Sequence, residues 1–218
     1  MSRILKYAAL ILGAVLLALL GYGAGGYFDA MRDAERLRVE ADTLIAEGYG
    51  GDNLGPDHLT QLLRVQDPAF FTHSGVDFTT PGAGATTISQ SASKRLAFTQ
   101  FRPGIGKIRQ TGYALGLEQH LSKAQILALW LDSVEMGRGP DGWMTGFYVA
   151  SKAVYGRLPA ALSEIEFLKL TAVLIAPATF DLQGSDPALD ERVRRIRDLL
   201  TGQCAPASHA DVWLEGCR

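Results

Sequence analysis

The chain has 218 residues, a formal net charge of −2 and 47% hydrophobic residues. That length suits one soluble domain of about 150 residues with extra segments. The near-balanced charge argues against a nucleic-acid partner, which generally calls for a marked basic excess.

The first element is an apolar N-terminal segment. Residues 7–28 carry no charged side chain, and that stretch is long enough for a helix crossing the hydrocarbon core, which needs roughly 20 residues. Arg3 and Lys6 precede it, so the positive-inside rule leaves the N-terminus cytoplasmic and exports the rest. A cleaved signal peptide is the competing reading. Its apolar core would be residues 8–20, with Ala24-Gly25-Gly26 offering small residues for cleavage. The uncleaved anchor over 1–30 is preferred because the uncharged stretch runs on through Tyr22, Tyr27 and Phe28, which suit an interface belt.

Residues 31–47 read as a separate amphipathic, charge-rich helix, ended by Gly48-Tyr49-Gly50-Gly51, so that 31–55 form a juxtamembrane element and linker. Asp57 can cap a short helix with Leu59, Leu62 and Leu63 on one face, and Gln66 continues that stripe. Asp67 precedes Pro68, which disfavours further helix, and the chain turns through Phe70, His73 and Gly75. Residues 78–87, rich in Gly, Pro and Thr, read as a flexible loop.

A helix over 105–121 puts Gln110, Ala114, Leu117 and Leu121 on one face, with Lys107 one turn before Gln110. A glutamine on an apolar stripe needs hydrogen-bond partners or a cleft. Gln66 and Gln110, each beside a charged neighbour, together point to a polar cleft. Capping-box patterns at Ser122 and Ser163 open helices over 126–134 and 167–175. Asp186-Pro187 opens one running to Thr201, with Gly202 just past its end. Few period-2 strands are present, so the fold class is mainly α. In the tail, 202–218, Cys204 and Cys217 either form a bridge or stay as thiols. The exported compartment favours the bridge, worth about 3 kcal/mol on a loop-entropy estimate.

Five stretches in order carry a family resemblance. Gln66-Asp67-Pro68-Ala69-Phe70-Phe71-Thr72-His73-Ser74-Gly75-Val76-Asp77 resembles Glu-Asp-x-x-Phe-x-x-His-x-Gly-x-Asp. Gly84-Ala85-Thr86-Thr87-Ile88-Ser89-Gln90-Ser91-Ala92-Ser93-Lys94 resembles Gly-Gly-Ser-Thr-Ile-Thr-Gln-Gln-x-x-Lys. Gly106-Lys107-Ile108-Arg109-Gln110 resembles Arg-Lys-x-x-Glu, and residues 117–139 and 146–181 follow the remaining two patterns. These are the motifs of glycosyltransferase family 51, the peptidoglycan glycosyltransferases, and the resemblance covers 56–201. The residues outside it are too few for a penicillin-binding transpeptidase domain.

The resemblance implies a mainly helical, partly lysozyme-like domain that dips into the membrane and acts on lipid II, the lipid-linked disaccharide-peptide precursor. In the family one Glu deprotonates the acceptor hydroxyl. A second Glu, with basic residues and often a divalent metal such as Mg or Mn, stabilises the pyrophosphate. It also implies lipid II or glycan strands, the membrane and cell-wall synthesis proteins as partners. On this alignment Gln66, Gln110 and Asp67 occupy the catalytic region. Phe70, His73, Thr86, Thr87, Gln90, Lys94, Lys107 and Arg138 fall at substrate-binding positions, the three cations as anion contacts. Read on the residues alone, His73 is a turn-bonding histidine and Asp67 a loop-fixing carboxylate.

Both family glutamates are glutamines here. An amide keeps the shape of a carboxyl group but not its charge or proton affinity, and general-base action contributes typically 10²–10⁴-fold. Only six residues separate Asp77 from Gly84, fewer than the family's mobile segment. The expectation is therefore a membrane-tethered domain that engages lipid II or glycan strands with weak or absent catalysis. The alternatives are an active transferase rewired through Asp67, Asp77, Glu118 or Glu135, and a purely structural membrane interaction protein.

Overall fold

The computed structural model describes residues 3–217, and within them the fold is mainly helical. The order is α1 (Arg3–Ala46), a 3₁₀ turn (Gly51–Leu54), α2 (His58–Gln66), α3 (Ile88–Leu96), α4 (Gly106–His120) and α5 (Lys123–Ser133). A hairpin of β1 (Glu135–Gly139) and β2 (Gly142–Thr145) follows, then α6 (Phe147–Tyr155), α7 (Glu164–Val173) and α8 (Pro187–Leu200). The strands pair antiparallel, with Arg138 opposite Trp143. This hairpin was not legible as alternation, because its residues are mostly Gly and polar.

Residues 3–46 do not divide into an anchor and a separate juxtamembrane helix. α1 is one helix of 44 residues, about 66 Å long at 1.5 Å per residue. Its apolar N-terminal part is long and apolar enough to cross a membrane, and that window is wholly unburied in the protein. The helix continues through residues 29–46 because α4 and then α5 pack on it. Ala30, Leu37 and Ala41 on the facing side are fully buried. Polar bridges flank the seam: Arg109 pairs with Asp29, Tyr113 donates to Asp33 at 2.6 Å and Arg38 donates to the His120 carbonyl at 3.1 Å.

The two helices meet backbone to backbone. A Cβ on Gly112 would lie 1.9 Å from the Gly23 carbonyl oxygen, and one on Gly26 would lie 2.1 Å from that of Arg109. Small residues on both surfaces permit this approach, as in tightly packed membrane helices. The helix that carries Lys107 and Gln110 is thus bolted to the anchor.

Caps set several of the other starts. Ser122 and Ser163 each form a full capping box, and Asp186 accepts from the backbone of Ala188 and Leu189. Asp57 precedes α2 but makes no side-chain cap, its backbone being helical rather than extended. The core lies where α5, sandwiched by its neighbours, buries Ile126, Leu127, Leu129, Trp130 and Leu131 against Phe147, Phe167 and Leu168.

Residues 78–87 are irregular but pinned. The C-terminal tail, closed by a Cys204–Cys217 disulfide, accepts from Gly82 N through the Ser208 carbonyl at 3.0 Å and from Gly84 N through that of His209 at 2.9 Å. A Cβ on Gly84, which has φ +67°, would lie 2.3 Å from Val212 Cγ1. Arginines of α8 hold the tail in turn, Arg194 through the Cys217 carbonyl and Arg195 through that of Trp213.

Candidate active site

Gln66 ends α2 half-buried, with its Nε2 donating to the Thr171 carbonyl of α7 at 3.0 Å. It opens into a cavity of about 360 Å³ lined also by Thr86, Thr87, Ser91, Trp130, Ile175, Arg192 and Val212. Four helices, the loop before α3, the segment just after α7 and the tail therefore contribute walls, and none of the lining residues is Asp or Glu.

Gln110 is placed differently. It is 1% exposed on α4, and its Nε2 donates to the Gln90 carbonyl of α3 at 2.6 Å. Its Oε1 is buried with no partner among the described residues. It is not among the residues lining the cavity of Gln66. The two amides flank α3, since Ser91, next to Gln90, does line that cavity. They do not share one open cleft, because α3 seals Gln110 from the Gln66 side.

Asp67 is 1% exposed. Its Oδ2 accepts from Ile88 N at 2.8 Å, and both its oxygens lie within 3.0 Å of His73 Nε2. His73 Nδ1 accepts from Gly75 N at 3.0 Å, so the ring proton sits on Nε2 and points at Asp67. This pair ties the loop after α2 to the start of α3. Replacing Asp67 by Ala strips two buried donors of their acceptor. The expected loss is about 3 kcal/mol or more, since hydrogen bonds to charged groups contribute about 1.5–3 kcal/mol each. Chemical denaturation of the purified protein measures it, and an unchanged midpoint would refute the assignment.

The second-motif residues are largely committed to the fold. Thr87 and Gln90 form the capping box of α3, Thr87 Oγ1 also donates to the Gly75 carbonyl at 2.7 Å, and Gln90 Nε2 donates to Thr111 at 2.9 Å. Thr87 still reaches the cavity wall, whereas Gln90 is 5% exposed. Phe70 is 1% exposed in the core, with Lys123 Nζ 4.6 Å from its ring centroid.

The cations separate. Lys107 Nζ donates to Thr86 at the cavity rim at 2.7 Å. Burial, with the charge of Lys94 nearby, holds the Lys107 ammonium below its usual range. Lys94 is exposed, 5.4 Å from the Phe101 ring centroid, and lines a different cleft with Arg95, Phe98 and Glu135. Arg138 stands exposed on β1 and lines neither.

The other carboxylates are engaged as well. Burial would raise the Asp77 carboxyl, but the backbone N–H groups of Thr79 and Thr80 outweigh it and bring it down to about 2. Glu118 accepts from Ser89 and from Lys123, and it lies two turns past Gln110, about 12 Å along α4. Glu135 accepts from the Trp143 indole. None of these hydrogen-bonds to Gln66 or Gln110. Among the described residues no three His, Cys, Asp or Glu side chains converge as a cation site. The walls of the Gln66 cavity, which hold no Asp or Glu, do not supply the carboxylates that Mg or Mn favours.

Reasoning from motifs missed Arg192, Trp130 and Val212. Arg192, on α8, is 4% exposed, with Nε and Nη1 lacking any partner among the described residues. The indole Nε1 of Trp130 is in the same state. The signal available in sequence was an arginine, Arg192, on the apolar side of α8 between Leu189, Val193 and Ile196.

Comparison with known proteins places this geometry. Residues 49–201 match the transglycosylase family model. The chain is 31% identical over 144 residues to a biosynthetic peptidoglycan transglycosylase of Marinomonas sp. (strain MWYL1), covering 61% of this chain and 62% of that one. It is 28% identical to that of Shewanella oneidensis, covering 67% and 66%, and 33% identical over 140 residues to penicillin-binding protein 1C of Escherichia coli, covering 58% and 18%. The match thus spans just under two thirds of the length of the peptidoglycan transglycosylases. With its matched segment running from the first 3₁₀ turn through α8, around the cavity into which Gln66 opens, the chain belongs to the transglycosylase family, glycosyltransferase family 51.

Proposed function

We propose that this protein is a membrane-anchored member of its family that engages lipid II or glycan strands during cell-wall biogenesis and turns them over weakly or not at all. The N-terminus lies in the cytoplasm and the folded domain on the outer side of the membrane. Cell-wall synthesis proteins are its further partners, and any Mg or Mn would arrive with a pyrophosphate-bearing ligand. One observation carries the reading: the cavity beside Gln66 has no carboxylate in its walls, and each nearby Asp or Glu is held by other donors. A general base must lie within hydrogen-bond reach of the proton it removes. The rewired transferase therefore lacks a base, while hydroxyls, an amide and cations remain to bind.

The test pairs binding with turnover. The full chain in nanodiscs should capture lipid II, and its polymerisation rate should fall at least 100-fold below that of Gln66→Glu, given the usual general-base contribution of about 10²–10⁴. Wild type polymerising as fast as Gln66→Glu, or failing to bind lipid II, would end the proposal.

A further inference from the structure

The cavity beside Gln66 contains a charge that the known motifs do not account for. Arg192 lines it, 4% exposed, with Nε and Nη1 unpartnered, and the unpartnered Trp130 Nε1 lines it too. Three buried N–H donors without acceptors on two residues that line one cavity are unusual, because buried polar groups are nearly always paired. An arginine cannot shed its proton to relieve the cost. Burial does draw the Arg192 guanidinium down, to about 10, with Arg195 adding repulsion.

The neighbouring carboxylate does not satisfy it. Asp211 lies close enough to favour the charged Arg192. Yet its Oδ1 accepts from Glu215 N at 2.7 Å, and its Oδ2 accepts from Ala207 N and Gly216 N at 2.9 and 3.0 Å. It shapes the tail and makes no hydrogen bond to Arg192. At Gln66, where the family motif has Glu, the wall carries an amide. A carboxylate there would add a negative charge to the cavity that Arg192 lines. With the amide, the lining residues carry one positive charge and no negative one.

From this arrangement we infer that the Gln66 cavity is a site for an oxyanion borne on a sugar, a carboxylate or a phosphate, with Arg192 and Trp130 as its donors. Thr86, Ser91 and Gln66 line the same space, and their hydroxyl and amide groups suit those of a sugar. Guanidinium groups pair strongly with carboxylate and phosphate. The exchange of Glu for Gln thus leaves Arg192 as the one charged residue, among those described, that lines the cavity, which favours an anion there. Val212, from the tail beyond the matched segment, adds to the wall beside the second-motif residue Gly84.

This inference rests on the reading of the cavity as the ligand site, and its test separates the two. The full chain in nanodiscs is titrated with N-acetylmuramic acid, with its neutral methyl ester and with inorganic phosphate, and separately with lipid II. The acid should bind at least tenfold more tightly than the ester. Arg192→Met should abolish that preference. So should Gln66→Glu, which leaves Arg192 in place and adds a negative charge to the cavity, and it serves should Arg192→Met fail to fold. Phosphate competing as well as the acid would support the oxyanion and assign it to a phosphate rather than a sugar carboxylate. Equal binding of acid and ester by the wild type, or a preference that survives Gln66→Glu, would overturn the inference even with lipid II bound. Loss of lipid II binding with the acid preference intact would sink the proposed function and leave this site standing.

Discussion

Gln110→Glu should destabilise the protein, and more at pH 8 than at pH 5. The Gln110 amide is 1% exposed and donates to the Gln90 carbonyl at 2.6 Å. An ionised carboxylate at that position has no proton to give and would face a carbonyl oxygen in a desolvated space. A protonated one could still donate. Burial and that hydrogen bond both favour the neutral acid, so its folded pKa rises above the unfolded value of about 4.3. The sign follows directly. Below about pH 4.3 both states are protonated and the penalty is small. As pH rises the unfolded chain ionises and the folded one resists, so stability falls until the folded pKa is passed.

The expected loss at pH 8 is about 2–3 kcal/mol, the cost of a buried group left without its partner. That corresponds to a thermal midpoint lower by roughly 5–10 °C for a domain of this size. Thermal unfolding of wild type and variant at the two pH values reads it. An equal drop at both, or a gain at pH 8, would mean that water or Lys107 reaches residue 110 and that the site is open. The same physics separates the two motif glutamines. Gln66 faces a cavity that carries Arg192 and can accommodate a charge, whereas Gln110 sits where a charge is expelled.

Gly112→Ala should loosen the anchor from the domain. In an ordinary helix this change stabilises by about 1 kcal/mol. Here the new methyl would lie 1.9 Å from the Gly23 carbonyl oxygen. That neighbour is backbone and cannot rotate away, so α1 and α4 must separate by an ångström or more. The expected cost is about 3 kcal/mol, at the upper end for overpacking. The contacts of Arg109 with Asp29 and of Tyr113 with Asp33 should be lost with it. Gly21→Ala is the control, since nothing lies within 4 Å of its added methyl, and it should be neutral or mildly stabilising. Unfolding in nanodiscs, with protease access to residues 29–46, distinguishes them. A Gly112→Ala protein as stable as Gly21→Ala would show that the helices are not in backbone contact. Lys107 and Gln110 ride on α4, so ligand affinity should fall together with stability in this variant.

The capping boxes at Ser122 and Ser163, the Asp186 cap and the apolar N-terminal stretch were all legible in the amino acids, because each depends on residues within a turn or on simple length. Five motifs in order likewise carried the family. Other features escaped that reading. The uncharged stretch and the charged helix after it looked like two elements, and α4 and α5 packing along the face of Ala30, Leu37 and Ala41 makes them one. Asp57 looked like a cap, but its helical backbone withdraws the side chain. The loop at 78–87 looked free, and the disulfide-closed tail pins it.

The linear order also could not say which polar residues meet. Gln66 bonds to Thr171, 105 positions away, and the cavity draws its walls from α2, α3, α5, α8, the loop before α3, the segment after α7 and the tail. Helical spacing reports only neighbours three or four residues apart, so it put Gln66 and Gln110 each on an inward face and stopped there. Packing decided that one faces a cavity and the other is sealed behind α3. It also decided that Arg192 brings a positive charge without a hydrogen-bonded carboxylate to the open one. Local rules yield the helices and the family. Desolvation, a property of the assembled walls, determines where a charge can reside and so what the site can hold.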